Sequence, residues 1–141
     1  KGRGVKPDAQ PWWVEIERPG AQAAAMPHDS ELPVTRIALH GLAVATSGDY
    51  RRYFIDGDGR RQPHTIDPRT GAPVQHGLAS VTVVAPRCML ADAWSTALTV
   101  LGPHAGPALA AQAGIAALFI TRHPDGRFSE ALSPAMAELA A

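Results

Sequence analysis

The change of period across Pro86 limits most sharply what this chain can fold into. Leu78-Ala79-Ser80-Val81-Thr82-Val83-Val84-Ala85 is a β-branched run closed by a proline, which reads as a strand. Directly after it, Met89, Ala93, Ala97 and Leu101, with Leu90, Trp94 and Leu98, recur at helical spacing until Gly102-Pro103 stops the pattern. A second helix is expected over about Ala105 to Ala113, ending at Gly114, and Ile115 to Ile120 reads as a buried strand.

The remaining segments are short and heavily punctuated. Trp12 to Glu17 alternates apolar and acidic residues as a half-buried strand does. Thr35 to Leu39 and Leu42 to Thr46 read as two strands around His40-Gly41, and Pro19 to Pro33 as a flexible loop. Tyr50 to Ile55 and Arg60 to Ile66 flank Asp56-Gly57-Asp58-Gly59, a hairpin signal, and Asp67 to Gly71 is a further turn. Asp125-Gly126 marks another hairpin, with Arg127 to Ala131 as its return strand and a frayed helix from Pro134. About seven strands and two helices make an α+β sandwich of sheet and helices, within one domain.

Thirteen basic and thirteen acidic side chains cancel, which excludes a whole-chain polycation gripping nucleic acid. The single cysteine, Cys88, excludes an internal disulfide and is read as a small core residue. His28, His40, His76, His104 and His123 have no metal-ligand spacing and are read as surface residues. The first residues hold no apolar run or lipid-attachment cysteine, and the apolar stretch from Leu90 to Leu101 is too short and polar to span a bilayer. The chain starts without Met, as a fragment of something longer or a boundary drawn at a domain edge would.

Three polar clusters carry possible chemistry. In Thr46-Ser47-Gly48-Asp49-Tyr50-Arg51-Arg52, small hydroxyls beside a glycine permit close approach to a ligand, and the arginines suit phosphate; the same residues also make an ordinary turn. In His64-Thr65-Ile66-Asp67-Pro68-Arg69-Thr70-Gly71, a histidine suited to general-base work stands near a proline-fixed turn; the alternative is an Asx turn in which Asp67 accepts backbone N–H bonds. In Ala91-Asp92-Ala93-Trp94-Ser95-Thr96-Ala97, Asp92 and Thr96 stand one helical turn apart as hard oxygen ligands of the kind Mg²⁺ takes. Asp92 can equally be a carboxylate that stabilises a helix N-terminus.

In this order the clusters, with Ala72-Pro73-Val74 after the second and Ser80 to Pro86 between the second and third, resemble the C-terminal half of the ApbE family of FAD:protein FMN transferases. The resemblance runs from about Val5 to Ala131. It implies an ApbE-like, T-fold-like sheet of short, mostly antiparallel strands packed with two or three helices, present as a partial domain covering residues 1–141. It also implies Mg²⁺-dependent transfer of FMN from FAD to a Ser or Thr hydroxyl of a target protein with release of AMP, or, as in some members, hydrolysis of FAD to FMN and AMP; the alternative of another class is a catalytically silent flavin-binding or interaction fragment.

By position, Asp92 and Thr96 would be side-chain Mg²⁺ ligands, Ser95 would offer its carbonyl, and His64 would deprotonate the acceptor hydroxyl. Thr46, Ser47, Gly48 and the turn Asp67, Pro68, Arg69, Thr70 and Gly71 would line the flavin-nucleotide cleft. The partners implied are FAD, the family's N-terminal half with its flavin-binding motif, and an acceptor flavoprotein subunit of a membrane redox complex. The resemblance further implies a lipid-anchored place in the bacterial periplasm, with a cytoplasmic one also possible. Residues 1–141 alone are expected to bind FAD poorly and turn over slowly or not at all.

Overall fold

The computed structural model of the 141-residue chain describes residues 4–19 and 34–140. Of the expected flexible loop, residues 20–33 lie outside that range. A four-stranded antiparallel sheet organises the rest. It is built from β3 (Ala43–Gly48), β8 (Leu78–Ala85), β9 (Ala116–Arg122) and β10 (Phe128–Leu132), in the order β10-β9-β8-β3. Before it come the antiparallel pair β1 (Trp12–Glu15) and β2 (Arg36–Leu39) and, between β3 and β8, two small ladders. One pairs β4 (Tyr53–Ile55) with β5 (Arg61–Pro63), the other β6 (Ile66–Asp67) with β7 (Ala72–Pro73).

Strand side chains alternate between faces, and here each face has its own core. Val81, Val83, Ala117 and Phe119 pack with Ala91, Leu98 and Ala110 of helix α1 (Cys88–Gln112). Val84, Leu118 and Ile120 pack with Ile16, Ile37, Leu39 and Met136 on the opposite side. Burial on both faces is why β8 and β9 read as unbroken apolar runs rather than alternating ones. Met136 belongs to α2 (Pro134–Ala137), which Ser133 caps by accepting the Met136 N–H, with Pro134 at the first helical position. The Ser133 hydroxyl also accepts from Ala117 N–H and donates to the Ile115 carbonyl, fixing α2 against β9.

Several expectations change in detail. The return limb Arg60 to Ile66 is two strands, because the chain leaves the β4 ladder after Pro63 and Ile66 pairs instead with Pro73. The two expected helices are one element broken at Gly102, whose φ of 83° and ψ of −176° lie outside any helix. The row Met89, Leu90 and Trp94, which announces α1 in the sequence, is exposed; the buried row is Ala91, Ser95, Leu98, Thr99 and Gly102. Cys88, expected in the core, is exposed at the start of α1. His76, expected on the surface, is half-buried. Its Nδ1 accepts the Leu78 N–H, so Nε2 carries the proton that it donates to the Thr99 carbonyl. The imidazole thus wedges β8 against α1, with its ring in the space a side chain on Gly102 would need.

Candidate functional site

The site is built where the end of β3 meets the second turn of α1. Ser47 points to the α1 side of the sheet, directly across from Val81. Its hydroxyl lies 2.7 Å from Ser95 Oγ and 3.1 Å from Thr96 Oγ1. Ser95 is fully buried and donates to the Asp92 carbonyl at 2.9 Å. That bond uses the Ser95 proton, so Ser47 donates to Ser95 and accepts from Thr96. The run Thr96→Ser47→Ser95→Asp92 turns the Thr96 proton inward and leaves the lone pairs of its exposed hydroxyl free. The Asp92 side chain, four residues earlier on the same helix, is exposed beside it.

This oxygen set suits a hard cation: one carboxylate, and one neutral hydroxyl oxygen whose proton points away. It is a partial shell. Among the described residues no three His, Cys, Asp or Glu side chains converge to hold a metal, so substrate oxygens or waters would have to complete it. The Ser95 side chain and its carbonyl have separate partners. The carbonyl oxygen, expected to face the metal, accepts the Thr99 hydroxyl at 2.8 Å inside the helix, while the hydroxyl takes part in the run from Thr96. Because α1 begins at Cys88, Asp92 falls in the second turn, beyond the first-turn position where a carboxylate serves the helix end best.

The first cluster is split by the strand it sits on. Thr46 faces away from α1 and bonds Thr82 Oγ1 at 2.8 Å across the ladder, so it does not share a cleft with Ser47. Gly48 gives close approach to neighbouring protein: a Cβ there would stand 2.7 Å from the Tyr50 ring and 3.2 Å from the Ala79 carbonyl. Asp49 holds Arg122 through two bonds of 2.8 and 3.0 Å, and Arg51 clasps Glu17 at 2.6 and 2.7 Å. Burial, and then the Glu17 carboxylate, push the Tyr50 hydroxyl above its ordinary pKa.

In the second cluster, His64 is exposed between β5 and β6, and its Nδ1 donates to the Arg52 carbonyl at 2.9 Å. The neutral ring therefore presents Nε2 with a free lone pair, as a general base needs. The Asp67 turn is an Asx turn. Its carboxylate accepts from the Arg69 backbone N–H at 2.9 Å and from the Arg69 guanidinium at 2.7 Å. The Arg69 guanidinium, and then its backbone N–H, hold the Asp67 carboxyl below the usual range. Gly71, at φ 69°, closes the turn by donating to the Asp67 carbonyl, and Thr70 and Pro68 remain exposed. Among the described residues no hydrogen bond or ion pair joins His64 or the Asp67–Gly71 turn to Asp92, Ser95 or Thr96.

Sequence reading missed two features here. Ser47 as the bridge to α1 was legible only as one member of the Ala45, Ser47 alternation. The Asp49–Arg122 pair joins residues too far apart in the chain for any local signal.

Residues 1–119 match the ApbE family. The chain is 40% identical to the FAD:protein FMN transferase of Escherichia coli K12 over 133 residues, which is 94% of this chain and 35% of that protein. It is 39% identical over 129 residues to the protein of the same name from Haemophilus influenzae, covering 89% of this chain and 34% of that one. Its fold is similar to Pseudomonas stutzeri flavinyl transferase ApbE in the apo form, with a TM-score of 0.77 and 45% identity over 97% of this chain and 39% of that one. The flavin transferase ApbE from Vibrio cholerae gives a TM-score of 0.75 at 36% identity, over 96% of this chain and 40% of that one. The chain thus spans about a third of the length of the curated relatives it matches. On the span of the family match and on these identities, the chain belongs to the ApbE family.

Proposed function

We propose that this chain supplies the metal-binding and base-bearing part of an FAD:protein FMN transferase. The observation that carries the reading is the hydroxyl relay that turns Thr96 Oγ1 outward beside the Asp92 carboxylate. It supports a Mg²⁺ half-site that substrate phosphate oxygens complete. When bound there, Mg²⁺ would spread the charge that develops on the FAD pyrophosphate.

The chain's own residues would do the rest. His64 Nε2 takes the proton of an acceptor Ser or Thr hydroxyl. The hydroxyl oxygen bonds to the FMN phosphorus, the anhydride bond to the AMP moiety breaks, and AMP leaves with the electron pair. Ser47 holds Thr96 in its orientation, and the Asp67–Gly71 turn fixes the segment that carries His64. Water in place of the acceptor would give FMN and AMP from the same arrangement, so hydrolysis is the competing outcome. The region of the relatives outside the match would supply most flavin contacts, and the acceptor would be a flavoprotein subunit of a membrane redox complex. A lipid-anchored periplasmic setting fits that partner, although among the described residues no helix is long and apolar enough to cross a membrane.

The test is covalent transfer, read by intact mass of an acceptor protein incubated with FAD, Mg²⁺ and the enzyme. A polypeptide with the full length of the relatives should add FMN to the acceptor only with Mg²⁺ and only with Asp92 intact. Free FMN with an unmodified acceptor would make the chain a pyrophosphatase. An Asp92→Ala protein that still transfers at the wild-type rate would overturn the metal-ligand role of Asp92, and FAD binding with neither transfer nor hydrolysis would make the chain a catalytically silent flavin-binding fragment. Full-rate transfer by residues 1–141 alone would refute the need for the remaining region.

A further inference from the structure

A cleft of about 360 Å³ opens beside the β4–β5 ladder and the C-terminal end of β9, away from the Asp92–Thr96 pair. Its lining includes Arg60, Arg61, Gln62, His76, Asp49 and Arg122. Three arginines line it with one acidic residue, Asp49, whose carboxylate is already engaged by Arg122 through two bonds. In a chain whose formal charge is zero, this is a local excess of arginine over acidic residues in the lining, with the Asp56 carboxylate turned to the Arg60 N–H and Gln62.

The arginines are held to different degrees. The Arg61 guanidinium lies 4.0 Å over the Tyr53 ring and donates to the Asp49 carbonyl, so its plane is fixed while further N–H groups stay available. The Arg60 side chain is exposed and has no hydrogen bond or ion pair among the described residues. Its backbone is held by the Asp56 turn through the Arg60 N–H to Asp56 Oδ1 bond and the Asp56 N–H to Arg60 carbonyl bond. Gln62, which donates to Asp56 and accepts from Gln75, stiffens the wall between them. The cleft therefore has a rigid floor, one pre-oriented guanidinium and one free to close on a ligand. Guanidinium forks match tetrahedral phosphate oxygens in pairs, and a volume of this size suits a small phosphate-bearing molecule better than a lone side-chain carboxylate.

We propose that this cleft is a binding site for a phosphate-class oxyanion, held by Arg60 and Arg61, that requires neither a metal nor a flavin. Its carriers are small molecules with a terminal phosphate or diphosphate. The proposal is independent of the transferase reading, since it concerns different residues and is read by binding alone.

The experiment is calorimetric titration of residues 1–141 with inorganic pyrophosphate, without divalent cations, at low and at high sodium chloride. The expected result is saturable one-site binding that weakens with salt. Arg60→Ala should weaken it roughly tenfold to a hundredfold, the loss typical of a hydrogen bond to a charged group. Arg61→Lys, which keeps the charge but loses the fork, should also weaken binding. Asp92→Ala should bind as the wild type does. Matching thermal melts for the wild type and Arg60→Ala exclude unfolding as the cause. Absence of saturable binding, unchanged affinity in Arg60→Ala, or loss of binding in Asp92→Ala would each overturn the proposal. A Glu-rich peptide binding in this cleft while pyrophosphate does not would overturn it as well, assigning the arginines to a polypeptide instead.

Discussion

Gly102→Ala should unfold this protein more easily, although the same substitution inside a continuous helix does the reverse. Gly102 stands inside the Cys88–Gln112 element at φ 83° and ψ −176°, a region of backbone space that is essentially reserved for glycine. Holding alanine there costs on the order of 1–3 kcal/mol. A Cβ would also stand 3.0 Å from His76 Cδ2, and the ring cannot retreat without loosening its bonds to the Thr99 carbonyl and the Leu78 N–H. Crowding of this kind typically costs a further 1–3 kcal/mol or so. Against both stands a gain of about 0.4–1 kcal/mol from the stiffer unfolded chain. The net expectation is a destabilisation of roughly 2–4 kcal/mol, or a melting temperature lower by about 6–12 °C for a domain of this size. Circular dichroism melts of the two proteins at one concentration measure it. In a His76→Ala background the steric part should vanish and the backbone part persist. A Gly102→Ala protein that melts at or above the wild type would refute the reasoning, because it would mean that the helix runs straight through the break.

Other expectations follow from the same structure. Leu98→Ala, which removes a fully buried side chain between α1 and the sheet, should cost about 3–5 kcal/mol in urea unfolding. Asp67 has a depressed folded pKa, so its contribution to stability is present above its unfolded pKa of about 3.9 and fades as pH falls through the lower folded value. Asp67→Asn should therefore melt below the wild type at pH 7, and the gap should close in acid. In a transfer-competent polypeptide, His64→Ala should slow flavin transfer at least a hundredfold or so while leaving FAD affinity nearly unchanged, the usual scale for a lost general base. Loss of FAD binding instead would make His64 a structural residue.

The sheet and its helix were legible because they are local. The Val81-Thr82-Val83-Val84 run and the helical spacing after it need no knowledge of what they pack against. Gly102-Pro103 marked a real interruption, but no local signal says that the chain resumes the helix at Pro103 rather than turning away. The apolar row of α1 misled for a physical reason. Ser95 and Thr99 are buried because their hydroxyls are satisfied, Ser95 by Ser47 across the interface and by the Asp92 carbonyl, Thr99 by the Ser95 carbonyl of its own helix, and Met89 and Trp94 are left outside. The candidate site divides along the same line. Asp92 and Thr96 share a helix and their juxtaposition follows from spacing, whereas their link to Ser47 depends on how β3 lies under α1. Thr46 and Ser47 read as one motif, yet the strand sends them to opposite faces.

On the proposed function, Asp92 and Thr96, the latter oriented by Ser47, would form a half-site for a divalent cation completed by substrate phosphate. Electron paramagnetic resonance of Mn²⁺, standing in for Mg²⁺, tests it most directly when a polypeptide with the full length of the relatives is titrated at saturating FAD with Asp92 intact or replaced by Asn. The account predicts Mn²⁺ immobilised only when protein and FAD are present together, and released again in Asp92→Asn. Equal immobilisation by both proteins, or none by the wild type at saturating FAD, would contradict it.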